Sequence, residues 1–290
     1  AASWKTLANT LKIRAAVATR LVNGAGGVGT INAMVTGGDI IDTNGENFEF
    51  QYGNNRANPD NRHPFYPNGY ENNDGQYQSN WFMWLMSESK GFSDPRTRYY
   101  FYRQETDIVT AYGDNPNAFD CIFTMTPDPD FLPAHYEAVS EDMPYCLGSY
   151  DQGYFGRDHM NGSGIPPDGV LRTIYGLYPG GGKFDDGLSN GDAQNAGTDG
   201  AQGAGIAPIW QSSFTHFNLA EAVLTMGAAG DARAFLAAGI EMSQSRVRDF
   251  ESLVDGAEQV ASGPPIDVFV DDTYPDDSLF TSYVTFVMDE

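Results

Sequence analysis

Residues 156–187 constrain the fold of this chain more than any other segment. They read GRDHMNGSGIPPDGVLRTIYGLYPGGGKFDDG, with Leu171, Ile174, Tyr175, Leu177 and Tyr178 at the centre. The many Gly, Pro, Asp and Asn residues exclude a helix or a long strand, and the apolar centre excludes a flexible linker. We therefore expect an ordered, irregular excursion held on a scaffold, the kind of segment on which binding surfaces are usually built.

The composition is that of a folded protein with an acidic surface. Hydrophobic residues make up 41% and aromatic residues 13% of the 290 residues, which is enough for a sizeable core. The formal net charge of −23 argues against binding to nucleic acid or to an anionic membrane surface. No apolar run approaches the roughly 20 residues of a membrane-spanning helix. The chain starts AASWKTLANTL, without an initiator Met or signal peptide, so we expect a piece of a longer protein.

Helical periodicity marks both ends of the chain. Residues 3–22 predict a helix that buries one stripe, and a Gly-rich stop follows at Gly24; the stripe is Trp4, Leu7, Leu11, Ala15, Ala18 and Val22. Residues 30–36 predict a second, short helix. After Trp210, one helix ends at Gly227, a second is capped by Asp231, and a last one begins near Asp276. The two helices joined at Gly227 form a hairpin of the helical-repeat kind.

The middle of the chain has little regular periodicity. It contains strand-like pieces at residues 39–42, 48–52 and 97–103 and one helix at about residues 79–89, and the Gly-rich run 187–205 is expected to be mobile. The sequence thus predicts one mainly α-helical domain over residues 1–290. Its helical frame is residues 1–36 and 208–290, and residues 37–207 form a large irregular insert.

Two glycine-rich motifs resemble nucleotide sites but fail on context. Residues 24–29 match GxGxxG, yet a helix precedes them where a dinucleotide fold needs a strand, so we interpret them as a flexible helix–helix loop. Residues 180–184 resemble the end of a P-loop. There, Phe184 replaces the hydroxyl residue that would bind Mg²⁺.

Catalytic and metal motifs are not evident. His63, His135, His159 and His216 lack zinc-ligand spacing, and no Asp/Glu pair is singled out for glycoside hydrolysis. A structural Ca²⁺ site that orders the loops is an alternative; its candidate ligands are Asp128, Asp130, Asp185, Asp186 and Asp192. The sequence leaves open whether Cys121 and Cys146 are joined in a disulfide. We expect no catalytic residue, no metal site and no cofactor.

An aromatic cluster interleaved with Asn and Gln is the strongest candidate binding surface. Flat aromatic faces beside amide side chains suit a sugar ring, and they equally suit a protein interface. The candidate ligand-binding residues are Tyr70, Tyr77, Trp81, Trp84, Asn73 and Asp74. For Trp81 and Trp84, burial as the inner stripe of a helix is the favoured alternative. Tyr70 and Tyr77 lie in polar sequence, and we expect them to be exposed.

Four segments resemble the SusD/RagB family of surface lipoproteins from Bacteroidota. They are SWKTLANTLKIRAAVATRL, the DPR turn at Asp94–Arg96, residues 156–187, and APIWQSSFTHFNLAEAVLTMG. These segments follow the family's order along most of the chain. The resemblance implies a mainly α-helical fold in which tetratricopeptide-like (TPR-like) helix pairs form a superhelix around a loop-rich insert.

The resemblance also implies a function. Such proteins capture glycans or peptides without catalysis at the outer face of the outer membrane and pass them to a SusC-like TonB-dependent transporter. Their N-terminal lipid anchor would lie outside these residues. Loop-ordering or transporter-docking roles are expected for Arg157, Asp158, His159, Asn161, Tyr175, Tyr178 and Lys183. An extracellular polysaccharide hydrolase and a non-catalytic helical-repeat adaptor remain as alternatives.

Overall fold

A computed structural model describes residues 2–71, 77–87, 90, 94–104, 156, 172–186, 197–254 and 276–289. The chain is mainly helical, as predicted, and it divides into two compact units. The first comprises Ala1–Gln51, Ala207–Asp249 and Phe280–Glu290, and the second comprises Tyr52–Ile206 and Phe250–Leu279.

Short strands and 3₁₀ turns lie between the helices along the chain. In chain order, the elements are α1 (Ala2–Ala18), α2 (Arg20–Gly37), a 3₁₀ turn (Asn44–Glu46), β1 (Phe48–Gln51), α3 (Phe65–Tyr70), α4 (Asn80–Ser87), α5 (Thr97–Tyr100), β2 (Phe101–Tyr102), β3 (Ile174–Tyr175), β4 (Ile206–Trp210), α6 (Ser212–Met226), α7 (Ala232–Arg248), a second 3₁₀ turn (Asp249–Leu253) and α8 (Asp276–Asp289). None of the described helices is both long and apolar enough to cross a membrane.

The first unit is built from two helix pairs, α1 with α2 and α6 with α7. Its main core lies among α1, α2 and α6, where Ile13, Val17, Ile31 and Leu219 are almost fully buried. The α7 helix is capped as the sequence predicts, because the Asp231 carboxylate accepts hydrogen bonds from two backbone N–H groups of the first turn. The predicted helix pairs are therefore present.

The Gly-rich segment after α1 is helical, and the prediction of a flexible loop there was wrong. The first helix ends at Ala18, and α2 runs through residues 24–29 with a bend at Asn23, whose φ is −135° and ψ is 46°. Gly27 is buried and lies against Ala16 and the Met226 side chain. A close tertiary contact thus outweighs the poor helix propensity of glycine.

The buried face of α1 differs from the predicted stripe. Trp4 is 67% and Val22 is 91% exposed, whereas Thr10 is fully buried. The Thr10 hydroxyl donates to the Thr6 carbonyl and accepts the Ile41 N–H at 2.9 Å. Because the loop after α2 supplies this partner, a polar residue is accommodated on the inner face and the stripe is displaced.

Strands in the second unit are shorter than predicted. Of the predicted strand 97–103, residues 97–100 form α5 and only residues 101–102 form β2, which pairs antiparallel with β3 in the register Phe101↔Tyr175. Residues 48–51 form β1 in the first unit, while residues 39–42 form no strand.

A buried ion pair lies directly after β2. The Arg103 guanidinium binds Asp185 through Nε–Oδ2 at 2.7 Å and Nη2–Oδ1 at 3.1 Å, and both side chains are at most 2% exposed. Arg98 also donates to the Asp185 carbonyl. Removing one partner of such a pair typically costs about 3–5 kcal/mol, because the other charge is left buried.

Two glycine-rich segments of the second unit, residues 176–183 and 200–206, pack backbone against backbone. Ala201 N donates to Gly182 O at 3.2 Å, and Gly203 N donates to Gly181 O at 2.9 Å. A Cβ atom on Gly200, whose φ is +58°, would lie 2.0 Å from the Gly182 oxygen. Residues 197–205 were predicted to be mobile, but they form part of this packed layer.

Gly200→Ala is predicted to destabilise the second unit by more than about 2 kcal/mol, because the new methyl group adds a backbone clash to a positive φ. The matched control is Gly29→Ala in α2, where a Cβ would meet nothing within 4 Å. This control should stabilise by about 0.5–1 kcal/mol through helix propensity. Chemical denaturation of the three proteins measures both effects, and equal stability of the two variants would contradict the packing.

Candidate functional site

The short helix α4 presents aromatic rings to solvent. Its N-terminus is capped by Ser79, whose hydroxyl accepts the Phe82 N–H at 3.4 Å. Met83 and Met86 face the core with Phe101, whereas Trp81 is 38% and Phe82 is 40% exposed. The helix therefore has one buried thioether face and one exposed aromatic face.

Trp84 links these two faces. Its ring centroid lies 5.1 Å from that of Trp81, and the side chain also packs on the methionine cluster. The favoured expectation that Trp81 and Trp84 would both be buried is wrong for Trp81 and only partly right for Trp84. We call Trp81, Phe82 and Trp84 the α4 surface.

A second aromatic group lies beside β3. The rings of Phe65 and Tyr175 stack at 4.3 Å with an 8° angle between their planes. Gln78 faces the Tyr175 hydroxyl, and the Arg172 guanidinium lies 5.5 Å from the centre of the Tyr77 ring. We call these five residues the Tyr175 cluster. It brings together Tyr77 and Tyr175, which were predicted for different roles.

The Tyr175 hydroxyl is partly shielded from solvent. Burial raises its pKa, and the interaction with the Gln78 amide opposes that rise. The group is therefore a neutral hydroxyl at physiological pH, able both to donate and to accept a hydrogen bond.

Tyr70 is buried, and its expected exposure as a ligand-binding residue was wrong. The side chain is 1% exposed and stacks on Tyr66 with 4.7 Å between ring centres. Its hydroxyl donates to the Tyr175 carbonyl at 2.7 Å and accepts the Lys183 N–H at 2.8 Å. Burial raises its pKa well above the ordinary value. Tyr70 therefore holds the backbone of Tyr175 in place from the protein interior, and its own side chain does not face solvent.

Tyr178 and Lys183 lie in the same packed region. Tyr178 is 4% exposed, and its ring meets Tyr100 and Phe250 edge to face. The Lys183 ammonium lies 4.9 Å from the centre of the Tyr102 ring. In the described structure both residues make internal contacts that hold the loop after β3.

His63 packs against Phe65, a member of the Tyr175 cluster. Its ring lies between Tyr52 and Phe65, with centroid distances of 4.8 and 5.0 Å. Nδ1 accepts the Phe65 N–H at 3.2 Å, and the ring also bonds the Ile206 backbone. Burial lowers the pKa of His63, so the imidazole is neutral near pH 7.

One pair of carboxyl groups in the first unit bears on the hydrolase alternative. Burial and the neighbouring Glu46 raise the pKa of Asp42; burial also acts on Glu46, but N–H and hydroxyl donors from Asp42 and Thr43 outweigh it and lower the pKa. The two carboxyl groups share a hydrogen bond, whereas glycosidases hold theirs about 5–9.5 Å apart. Glu46 forms the capping box of the 3₁₀ turn with Thr43. This pair has a structural role.

The described residues contain no group of three or more His, Cys, Asp or Glu placed to hold a metal ion. Of the proposed Ca²⁺ ligands, Asp185 is bound to Arg103 and Asp186 is exposed. Several predicted residues lie outside the described part of the chain: Asn73, Asp74, Cys121, Cys146, Asp128, Asp130, Asp192, Arg157, Asp158, His159 and Asn161.

Sequence reasoning missed Gln78. It sits between Tyr77 and Ser79 and is 7% exposed, so its burial comes from tertiary contacts that no periodicity announces. The one signal in the sequence was its position within an aromatic run, where a buried amide would need a polar partner.

Solved structures of SusD homologs are similar to this chain. One from Bacteroides fragilis is 12% identical with a TM-score of 0.50, over 98% of this chain and 46% of its own. Another, from Parabacteroides distasonis, is 15% identical with a TM-score of 0.48, over 87% of this chain and 42% of its own. A third, from Bacteroides thetaiotaomicron, is 15% identical with a TM-score of 0.47, over 89% and 37%.

The likeness to the Bacteroides fragilis structure confirms the predicted resemblance at the level of the fold, which is the helical, TPR-like fold of SusD homologs. The chain spans less than half the length of these structures. No protein-family model matches the sequence, and a search of the curated proteins found no match to it.

The buried neutral His63 predicts a loss of stability in mild acid. Its folded pKa lies below the unfolded value of 6.5, so the unfolded chain binds more protons as the pH falls below 6.5. The free energy of unfolding should decrease there with a slope approaching about 1.4 kcal/mol per pH unit until the folded pKa is reached. Above pH 7 this contribution is constant.

Denaturation of the wild type and of His63→Gln between pH 8 and pH 5 measures this effect. The amide cannot be protonated but can still accept the Phe65 N–H. The variant should therefore have the shallower pH dependence, and identical profiles would show that His63 is not the responsible group.

Proposed function

We propose that this chain is part of a cell-surface substrate-binding lipoprotein that captures oligo- or polysaccharide and delivers it to a TonB-dependent outer-membrane transporter. The exposed aromatic face of α4, on a SusD-like fold, is the observation that carries this proposal. A helix that holds two indole rings with their centroids 5.1 Å apart and their planes at 41° offers two adjacent aromatic faces at low conformational cost.

The chemistry of the α4 surface suits a sugar ring. The C–H face of a sugar is apolar and stacks on an aromatic ring, while its hydroxyls need hydrogen-bond partners. Amphipathic Trp and Tyr residues dominate the binding energy of many interfaces for the same reason. The nearly buried Met83 and Met86 anchor the helix, so the exposed rings are held by the core.

Capture without chemical conversion is part of the proposal. Among the described residues, the carboxyl pair with opposite pKa shifts, Asp42 and Glu46, serves to cap a turn. The net charge of −23 argues against direct binding to an anionic membrane surface, so membrane attachment is assigned to a lipid anchor outside these residues.

A helical-repeat adaptor that binds another protein is a second candidate. Phe214, Phe217 and Leu224 share one face of α6 and are 37%, 37% and 77% exposed. An apolar helix face of this kind is suited to a partner helix. Binding of peptides or proteins in place of glycans would favour this candidate.

Trp81→Ala is predicted to weaken glycan binding by about tenfold or more, because it removes an exposed anchor ring. The matched control is Trp4→Ala in the first unit, since Trp4 is 67% exposed but does not belong to the α4 surface. Affinity electrophoresis against neutral and acidic polysaccharides, with calorimetry on a peptide digest, measures both. Equal losses in the two variants, or no saturable binding by the wild type, would contradict the proposal.

The transporter is tested by gentle isolation of the full-length protein from its native membrane, followed by mass spectrometry. A large outer-membrane β-barrel is expected in near-equal amount. Release of sugar products by the isolated material, with no barrel present, would instead favour the hydrolase.

A further inference from the structure

The outer face of α1 is apolar and open to solvent. Apolar residues recur there at steps of four, three, four and three, and all of them are exposed: Trp4, Ala8, Leu11, Ala15 and Ala18. The residues that α1 buries in the first unit lie on its other side: Leu7, Thr10, Ile13, Ala16 and Val17. We call the five exposed residues the α1 seam. The stripe that the sequence predicts to fill the core is thus largely this outer face.

The spacing of the α1 seam is that of a coiled coil, in which apolar residues recur on average every 3.5 residues. The larger side chains, Trp4 and Leu11, alternate with alanines. An alanine leaves room for a large side chain of a facing helix, so a second helix can pack closely against α1, knob into hole. A narrow seam with three alanines therefore fits a helix better than it fits a lipid surface, which needs a broad apolar face.

The core of the first unit holds one end of the α1 seam in position. The Trp4 ring meets Phe48 edge to face, with 4.7 Å between ring centres, although Trp4 is 67% exposed. Phe48 in turn packs on the buried cluster of Leu7, Ile41 and Trp210. An aromatic side chain that is fixed on one side and open on the other can anchor a protein interface.

Basic side chains flank the α1 seam. Residues 1–38 contain no Asp or Glu, in a chain whose net charge is −23. Lys12 and Arg14 are exposed on opposite sides of the seam. Lys12 donates to Asn9 Oδ1 at 2.9 Å, and the Arg14 guanidinium lies 5.5 Å from the centre of the Trp210 ring. Both contacts are to neutral groups, so both charges are available to the carboxylates of a partner.

These charges select the kind of helix that can bind. Two copies of α1 packed on each other would bring their basic flanks together, which disfavours self-pairing. The net charge of the whole chain opposes an anionic membrane surface. A helix with Asp or Glu beside its apolar residues would pair with Lys12 and Arg14. At physiological salt, screening over about 8 Å limits the repulsion from acidic groups elsewhere in the chain.

We propose that the α1 seam binds an acidic amphipathic helix of a partner protein, packed along α1 as in a two-stranded coiled coil. Large apolar side chains of the partner fill the spaces over Ala8 and Ala15, and its carboxylates pair with Lys12 and Arg14. The seam lies in the first unit and the α4 surface in the second, so this inference does not rest on glycan binding.

A synthetic helical peptide of about three heptads, with Leu at the seam positions and Glu at the flanking positions, is the probe. Fluorescence anisotropy with the full-length protein measures its affinity. The acidic peptide should bind saturably, and the same peptide with Lys at the flanks should bind about tenfold or more weakly. Leu11→Gln should weaken the acidic peptide by about tenfold or more, because an apolar contact is lost. The matched control is Leu224→Gln, at a 77% exposed position of α6, which should leave the affinity unchanged.

Lys12→Glu tests the charge pairing separately and remains informative if Leu11→Gln does not fold. This variant should bind the acidic peptide severalfold more weakly and the Lys peptide severalfold more tightly. A general loss of structure would weaken both peptides. The exchange of preference therefore identifies a direct contact, and an unchanged preference contradicts it.

The other possible occupants of the seam give different results, and each overturns the proposal. If the acidic peptide does not bind, and Ala15→Cys resists maleimide while Leu224→Cys is labelled, the protein's own chain covers α1. If both cysteines are labelled and the peptide does not bind, α1 takes no helix of this kind. A dimer that Leu11→Gln dissociates, seen by sedimentation, would identify a second copy as the occupant. Binding to phosphatidylglycerol vesicles that the same variant abolishes would identify a lipid surface.

Discussion

The hydroxyl group of Tyr70 hydrogen-bonds two segments of the second unit, β3 and the chain at Lys183, to the helix α3. It donates to the backbone of β3 and accepts the N–H of Lys183. A Cβ atom on Gly182 would lie 2.3 Å from this oxygen, so the backbone approaches only because a glycine is present. One side-chain oxygen thus supplies hydrogen bonds that a longer strand would otherwise make with its neighbours in a sheet. The stacking of Tyr70 on Tyr66 holds this oxygen in position.

This buried arrangement determines where the surface groups lie. Tyr175 is fixed through its backbone by Tyr70 and Phe101, and its ring is left to stack on Phe65. The glycine-rich layer behind it, which includes Gly181 and Gly203, has little side-chain volume and is held by backbone hydrogen bonds. A loop region built in this way can be ordered without a large apolar core, which explains its low periodicity.

The elements with strong local signals could be predicted from the sequence. The Asp231 carboxylate caps α7, and Gly227 ends α6 in a left-handed conformation, which glycine adopts readily because it has no Cβ atom. The predictions that were wrong share one kind of cause, namely tertiary contacts that a local sequence pattern does not encode. Gly27 is helical because it packs against Met226, and Thr10 is buried because Ile41 supplies its partner.

The candidate site, too, could be predicted from the sequence only in part. The aromatic richness of the region was visible in the sequence, but which rings face solvent was not. Tyr70, in polar sequence, is buried because its hydroxyl finds two backbone partners, and Trp81 is exposed because Met83 and Met86 fill the inner face of α4. A pattern of residue types cannot resolve this choice, since Tyr and Trp are amphipathic and suit either environment.

The rigid attachment of these surface groups has a consequence for binding. A flexible loop must lose conformational entropy when it closes on a ligand, and that cost reduces affinity. In this chain Tyr175 is already held by a strand pair and by Tyr70, and the α4 rings are held by buried methionines. Most of the ordering cost is therefore met during folding. A ligand contact made by these exposed rings would then lose little of its energy to ordering the site.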